Sequence, residues 1–215
     1  MIKHEKFQDI VNKDFGESFI ELLKCRTFKD FCQEINSISE NYELYGYQDS
    51  VVEDETLPGS LKFRGDLFEI FAEIFFKIND ADNRIGVFDY QPVQSHDDNG
   101  VDGISKNIDG VNTTIQVKYR MNPMYSLKER DIKQFAFQSI LKYGVDLKQD
   151  NNMIVFTNCQ GLHWYTDSNV FQNKLRAING DMISRMIDNN EGFWNSAKNL
   201  INETLQKTGI DYIQI

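Results

Sequence analysis

A mixed β-sheet flanked by helices, of the α/β or α+β class, is predicted by three features of the sequence. Residues 84–120 hold three runs rich in β-branched and aromatic residues, "RIGVFDYQPV", "VDGISK" and "TTIQVKYR", with an Asp109-Gly110 turn signal between the second and third. A helical pattern follows and then "NMIVFTN", the near-continuous apolar run of a strand buried on both faces. Helical patterns also fill both ends of the chain. The resulting order is helices, an αβββαβ core and further helices.

Residues 1–46 read as helices: in "FGESFIELLKC" and "TFKDFCQEINSI" apolar residues recur at spacings of three and four, and Thr27 is placed to cap the second. The acidic "YQDSVVEDETLPGS" reads as a linker or exposed loop closed by Pro58 and Gly59. "GDLFEIFAEIFFKI" predicts a helix buried on most sides and capped by Asp66. It carries Glu69 and Glu73 one turn apart, and burying carboxylates without partners is costly, so an ion pair at the rim or a bound cation is expected there. Asp109-Gly110 joins the second and third strands as an antiparallel hairpin. Ser126 and Glu129 have the spacing of a capping box, opening a helix that runs through "DIKQFAFQSILKY" to Gly144. "LHWYT" predicts a short edge strand, "FQNKLRAI", "DMISRMI" and "FWNSAKNLINETLQK" predict helices, and "DYIQI" a last strand. The expected organisation is one globular unit: an acidic helical region 1–60, a core 61–167, and a helical extension 168–215 packed on that core.

At 215 residues, 40% of them hydrophobic, the chain is long enough for one full core. No run approaches the roughly 18 consecutive apolar residues of a membrane helix, and "MIKHEKFQDIVNKDF" lacks the apolar centre of a secretory signal. The expectation is a soluble cytoplasmic protein without a membrane partner. Cys25, Cys32 and Cys159 are odd in number and form no CxxC pair, so reduced thiols are expected, and His4, His96 and His163 are too far apart in sequence to suggest a histidine metal site.

The net charge of -10 argues against nucleic acid, but its distribution weakens that argument. Residues 1–60 carry six Lys/Arg against thirteen Asp/Glu, a balance of -7, and the remainder is nearly neutral with 17 against 20. Between residues 114 and 142 stand Lys118, Arg120, Lys128, Arg130, Lys133 and Lys142 against only Glu129 and Asp131. Arg120, Lys128, Arg130 and Lys133 are accordingly candidate nucleic-acid contacts, the last three on or near the first turns of the predicted helix.

Strand alternation puts Gln116, Lys118 and Arg120 on one face of "TTIQVKYR" and Ile115, Val117 and Tyr119 on the other. Across the hairpin, Asp102 falls opposite or diagonal to that strand, so a carboxylate, an amide oxygen and an ammonium converge. A hard divalent ion takes one or two carboxylates with carbonyl oxygens, a set that Asp102, the Gln116 side chain and the Val117 backbone carbonyl supply. Such an ion polarises a phosphoryl group and acidifies a water, and Lys118 beside it stabilises developing negative charge. Glu69 adds a second carboxylate if its helix packs beside the hairpin. The chemistry indicated is metal-dependent hydrolysis of a phosphodiester.

"FE" at 68–69, "DNGVDGI" at 98–104, "QVK" at 116–118 and the later "IVFTN" together resemble the PD-(D/E)XK nuclease superfamily, and within it the Mrr-like branch, over roughly residues 62–160. The resemblance implies a restriction-endonuclease-like fold and an Mg²⁺-dependent DNA endonuclease, with Mn²⁺ as a substitute. It implies Asp102, Gln116 and Lys118 as the catalytic core and Glu69 as an auxiliary metal-site acid. Val101 stands where the superfamily's proline is found, a departure shared by Mrr-like members, and Glu73 matches nothing in the pattern, so it is expected to be a rim or ion-pair residue. The alternative is a catalytically inactive relative that binds nucleic acid, or a protein partner through the acidic region 1–60. Cutting both strands of a duplex would favour a homodimer. His96, Asp97 and Asp98 read as turn residues beside the motif, and His163, Trp164 and Tyr165 as strand packing.

Overall fold

The computed structural model describes residues 1–7, 22, 24–52, 55–80, 82–94, 100–163 and 173–208. In chain order the elements are α1 (Phe28–Ile38), β1 (Ser50–Val52), β2 (Glu55–Leu57), α2 (Gly59–Ile78), β3 (Phe88–Pro92), β4 (Gly103–Lys106), β5 (Asn112–Lys118), β6 (Ser126–Leu127), α3 (Glu129–Leu141), β7 (Met153–Thr157), β8 (Gly161–Leu162), β9 (Leu175–Ile178), α4 (Gly180–Ile187) and α5 (Glu191–Thr208). The chain forms two compact units, Met1–Ile74 with Ser184–Ile215 and Phe75–Ile183, and their boundaries fall within α2 and α4. No helix among the described residues is long and apolar enough to cross a membrane.

The first unit is built on aromatic packing. Thr27 caps α1 as expected, its hydroxyl accepting the Asp30 N–H at 3.1 Å, while the Asp188 carboxylate takes the Phe28 N–H at 2.6 Å. The 3-4-3 spacing of Phe28, Phe31, Ile35 and Ile38 buries one face of α1. Phe31 lies 4.2 Å from Phe71 of α2 between ring centroids and 6.3 Å from Trp194 of α5. The Trp194 indole N–H is satisfied by the carbonyls of Ile187 and Arg26, at 3.0 and 3.2 Å.

Three expectations are corrected in this unit. The acidic stretch 47–60 is not a linker: β1 and β2 pair antiparallel from Ser50↔Leu57 to Val52↔Glu55. The backbone ladder there outweighs an acidic composition of low β-propensity. α2 starts at Gly59, seven residues before the expected cap, because Asp49 receives the Gly59 N–H at 2.8 Å. A Cβ on Gly59 would stand 2.7 Å from the Tyr42 ring and 2.8 Å from the Gln48 carbonyl, so this start tolerates only glycine. Asp66 is thereby a mid-helix residue and accepts the Tyr47 hydroxyl at 2.5 Å. Glu73 is no rim residue either, since it is fully buried and its two oxygens accept the N–H groups of Lys3 and His4 at 2.6 and 2.8 Å. Two backbone donors satisfy the carboxylate where a side-chain cation was expected.

Burial pushes the Asp66 carboxyl up to about 6, against the pull of the Tyr47 hydroxyl and with the charge on Glu69 adding to the rise. Burial alone would lower the His4 imidazole, but its hydrogen bond to Glu69 and the charges of Glu69, Asp66 and Glu73 leave it raised.

The second unit carries a five-stranded sheet in the order β3-β4-β5-β7-β9. The first two pairings are antiparallel and the last two parallel, so β5 is where the sheet changes type. The Asp109-Gly110 hairpin forms as expected, with Gly110 at φ 76° and the turn closed by Asn107. β7 is buried at every position, as its apolar run requires. On one face Met153 and Val155 pack with Ile132, Phe135 and Ala136 of α3. On the other, Phe156 meets Phe75 and Phe76 at 5.2 and 5.1 Å between centroids. Gly103 is required by close packing, because a Cβ there would lie 2.3 Å from the Tyr90 ring.

Two further expectations fail in this unit. Ser126 caps nothing: it lies in β6, parallel to β8, and α3 starts three residues later, where Asp131 takes the Lys128 N–H at 2.8 Å. "FQNKLRAI" yields a strand, not a helix, from Leu175 to Ile178. β7 offers a ladder edge, and the parallel register Met153↔Leu175 to Phe156↔Ile178 overrides the weak helical period of a short run. α4, α5 and α3 agree with expectation, although α3 ends at Leu141 and Gly144, at φ 64°, comes three residues later. The helix in "FGESFIELLKC", the strand "DYIQI" and most of "LHWYT" beyond His163 lie outside the described residues.

The raised Asp66 carboxyl has a consequence with a definite sign. A carboxyl raised from its ordinary value of 3.8 to about 6 contributes stability at low pH that is lost as pH rises through 6. Asp66→Asn, which keeps an acceptor for Tyr47, is expected to stabilise the protein by on the order of 2 kcal/mol at pH 7.5 and by much less at pH 4.5, read from urea midpoints at the two pH values.

Candidate active site

The site residues meet where β4 parts from β5. Gly103 pairs with Ile115, and the next residue back, Asp102, donates its N–H to the Ile115 carbonyl at 2.9 Å. Its carboxylate then turns along β5 and accepts the Val117 N–H at 2.6 Å. Asp102 is thus fixed beside the residue between Gln116 and Lys118, closer than strand alternation alone required. Because the N–H and C=O of one strand residue point to the same side, the Val117 carbonyl faces the Asp102 side as well.

Gln116 is only 3% exposed. Its face of β5 is not solvated; α3 covers it, as the Thr114 hydroxyl bonded to Ser139 at 2.8 Å shows. The Gln116 side-chain NH₂ donates to the Gly100 carbonyl at 3.0 Å. The other end of the amide is unusual: Oε1 is buried and has no hydrogen-bonding partner among the described residues. An unsatisfied buried carbonyl costs roughly 1–3 kcal/mol, and it leaves an acceptor open at this strand end.

Lys118 ends β5, half-buried, and its backbone carbonyl accepts the Thr157 hydroxyl at 2.7 Å. Its ammonium has no ion-pair partner among the described residues. Beyond it, Asn158 clamps Arg120 by accepting its N–H at 2.8 Å and donating to its carbonyl at 2.7 Å. The Arg120 guanidinium reaches Asp131 at 3.4 Å, and Asp131 also takes the Tyr125 hydroxyl at 3.0 Å. Burial would raise the Asp131 carboxyl, but the Lys128 N–H, Tyr125 and Arg120 outweigh it and hold it below the usual range. Arg120 is therefore partly occupied by an internal carboxylate, whereas Arg130 and Lys133 on α3 are exposed and Lys128 is half-buried at its start.

Of the residues expected to act together, Asp102, Gln116, Val117 and Lys118 are gathered on two strands of one sheet. Glu69 belongs to the first unit, where its carboxylate is hydrogen-bonded to the His4 ring at 3.0 Å. His96, Asp97 and Asp98 lie outside the described residues, and His163 is exposed with its N–H on the Leu127 carbonyl. Sequence reasoning missed Gly100 and Asn158. The glycine ahead of Val101-Asp102, and an asparagine just past an apolar strand, were the available signals.

Among the described residues no cluster of three or more His, Cys, Asp or Glu is arranged to hold a metal. A cation here would rest on one carboxylate with amide and backbone oxygens, a donor set that suits a hard ion and leaves coordination places for water and phosphate. The buried, unpartnered Gln116 Oε1 fits that requirement.

Gln116→Met keeps the length of the side chain and deletes an unsatisfied oxygen together with one hydrogen bond. Its stability is expected to stay within about 1 kcal/mol of wild type, or to rise, whereas Thr114→Val, which removes the hydrogen bond donated to Ser139 while Ser139 keeps its own to the Phe135 carbonyl, costs about 1 kcal/mol; chemical denaturation of both variants checks the contrast. No family model and no curated protein matches the chain, so the chemistry of this site is read from its own geometry.

Proposed function

We propose that the chain is a metal-dependent endonuclease hydrolysing phosphodiester bonds of DNA, with the restriction-endonuclease-like, Mrr-like architecture that its motifs resemble. The observation that carries the reading is the buried Gln116 carbonyl oxygen without a partner, on the same strand end as the Asp102 carboxylate and Lys118. The αβββαβ order of α2, β3, β4, β5, α3 and β7 is compatible with it.

Asp102, Gln116 Oε1 and the Val117 carbonyl would hold Mg²⁺, or Mn²⁺ in its place. When bound, the ion supplies polarisation of the phosphoryl group and acidification of a water. Asp102 keeps its orientation through the Val117 N–H, so its carboxylate needs no rearrangement to meet a cation. Lys118, half-buried and unpaired among the described residues, holds a positive charge where the pentacovalent phosphate develops negative charge. Arg130 and Lys133, exposed on α3, would hold flanking phosphates, with Lys128 at the start of the same helix. Glu69 is left out of this ligand set, its carboxylate being engaged by His4.

The test incubates the protein with supercoiled plasmid, single-stranded DNA and RNA in Mg²⁺, Mn²⁺ or EDTA. Cutting of DNA is expected with either metal and none in EDTA. Asp102→Asn, which still accepts the Val117 N–H, and Lys118→Met are each expected to lower the rate by roughly 10²–10³-fold. Wild-type protein that binds DNA but cuts none of these substrates with either metal would refute the nuclease and favour the binding protein.

A further inference from the structure

The loop that leaves β5 presents an apolar tip. Met121, Asn122, Pro123 and Met124 are all exposed, Met121 at 55% and Met124 at 69%. Single exposed apolar side chains are ordinary, but two methionines and a proline on a four-residue tip form a patch. The tip is held from both sides. Asn122 accepts the Met124 N–H on its side chain at 3.0 Å and the Tyr125 N–H on its backbone at 3.1 Å. Asn158 clamps the Arg120 backbone, Tyr125 is tied to Asp131, and the Tyr125 carbonyl accepts the Gln160 N–H at 3.2 Å. Pro123 removes a further torsion from the tip. The Met124 sulfur accepts the Gln160 side-chain N–H at 3.6 Å, so Met124 is held in place while most of its side chain, like that of Met121, stays exposed on an anchored base.

The surroundings indicate what they meet. Met121 follows Lys118 by three residues, at most about 11 Å of extended chain, so the tip stands beside the strand end that carries the candidate site. The stretch 114–142 holds six basic residues against two acidic in a chain of net charge -10, which matches a phosphate backbone. An apolar tip of Met and Pro, set on a stiff base among cations, has the composition of side chains that enter a base step and kink a duplex.

We propose that Met121–Met124 is a wedge that enters a base step of duplex DNA and unstacks it next to the phosphate to be cut; this rests on the nuclease reading and names duplex DNA as the substrate class. Arg130 and Lys133 hold the backbone while the wedge opens the step, and the kink carries the phosphate towards Asp102 and Lys118. The wedge acts by positioning and takes no part in the chemistry.

The experiment uses the full chain and short DNA duplexes carrying a fluorescent adenine analogue whose emission rises on unstacking, first in EDTA and then in Mg²⁺ or Mn²⁺. Wild type is expected to bind duplex more tightly than the same strand alone and to raise the emission. Met121→Ser with Met124→Ser should bind duplex within about threefold of wild type, because the phosphate contacts remain, yet lose the rise in emission and cut about tenfold more slowly. Met121→Leu with Met124→Leu should restore both. A serine variant that unstacks and cuts like wild type overturns the wedge, as does a wild type that prefers single strands or RNA. Cutting without unstacking defeats the wedge and leaves the nuclease standing, whereas unstacking without cutting in either metal defeats the nuclease.

Discussion

The hydrogen bond from Val117 N–H to the Asp102 carboxylate governs the sheet end on which the proposed chemistry rests. β4 follows β5 only as far as Gly103, and beyond that point a side chain replaces the missing strand. One carboxylate thus satisfies a backbone donor that would otherwise be left at the end of a ladder, and the same act fixes its own position against Gln116 and Lys118. The parallel partner β7 continues in register to Lys118↔Thr157, so this end of β5 is rigid on one side and open to side-chain chemistry on the other.

Around that bond the structure divides its polar groups into satisfied and unsatisfied ones. Thr114, Asn158, Asp131 and Thr157 all complete their hydrogen bonds within the fold and set the geometry of the strand end. Gln116 completes only one end of its amide. Among the described residues of this strand end the Gln116 oxygen is left open, with an ammonium nearby on the same strand.

The hairpin and its site were legible because they rest on short-range rules. Period-two alternation assigned Gln116 and Lys118 to one face, and Asp109-Gly110 could hardly be read as anything but a turn. The buried strand β7 was legible from its unbroken apolar run. The errors came wherever a distant partner decided the outcome. Leu175–Ile178 became a strand because β7 had an edge to offer, Asp66 lost its expected role as a cap because Asp49 supplied one earlier, and Ser126 entered a two-residue ladder with Gly161. Burial of Gln116 was not legible either, since a polar residue on an alternating strand reads as solvated until a helix is known to cover it.

Glu73 illustrates a different kind of recognition within the same molecule. Its carboxylate holds the amino-terminal segment by two successive main-chain N–H groups, so these two bonds follow the backbone path, while its charge also acts on the buried His4 imidazole. For this contact proline alone is excluded there, since it alone lacks the donor. This segment is thus moored by a rule about peptide groups, to which the bond between the His4 ring and Glu69 adds one about sequence, and the two kinds of constraint tolerate different substitutions.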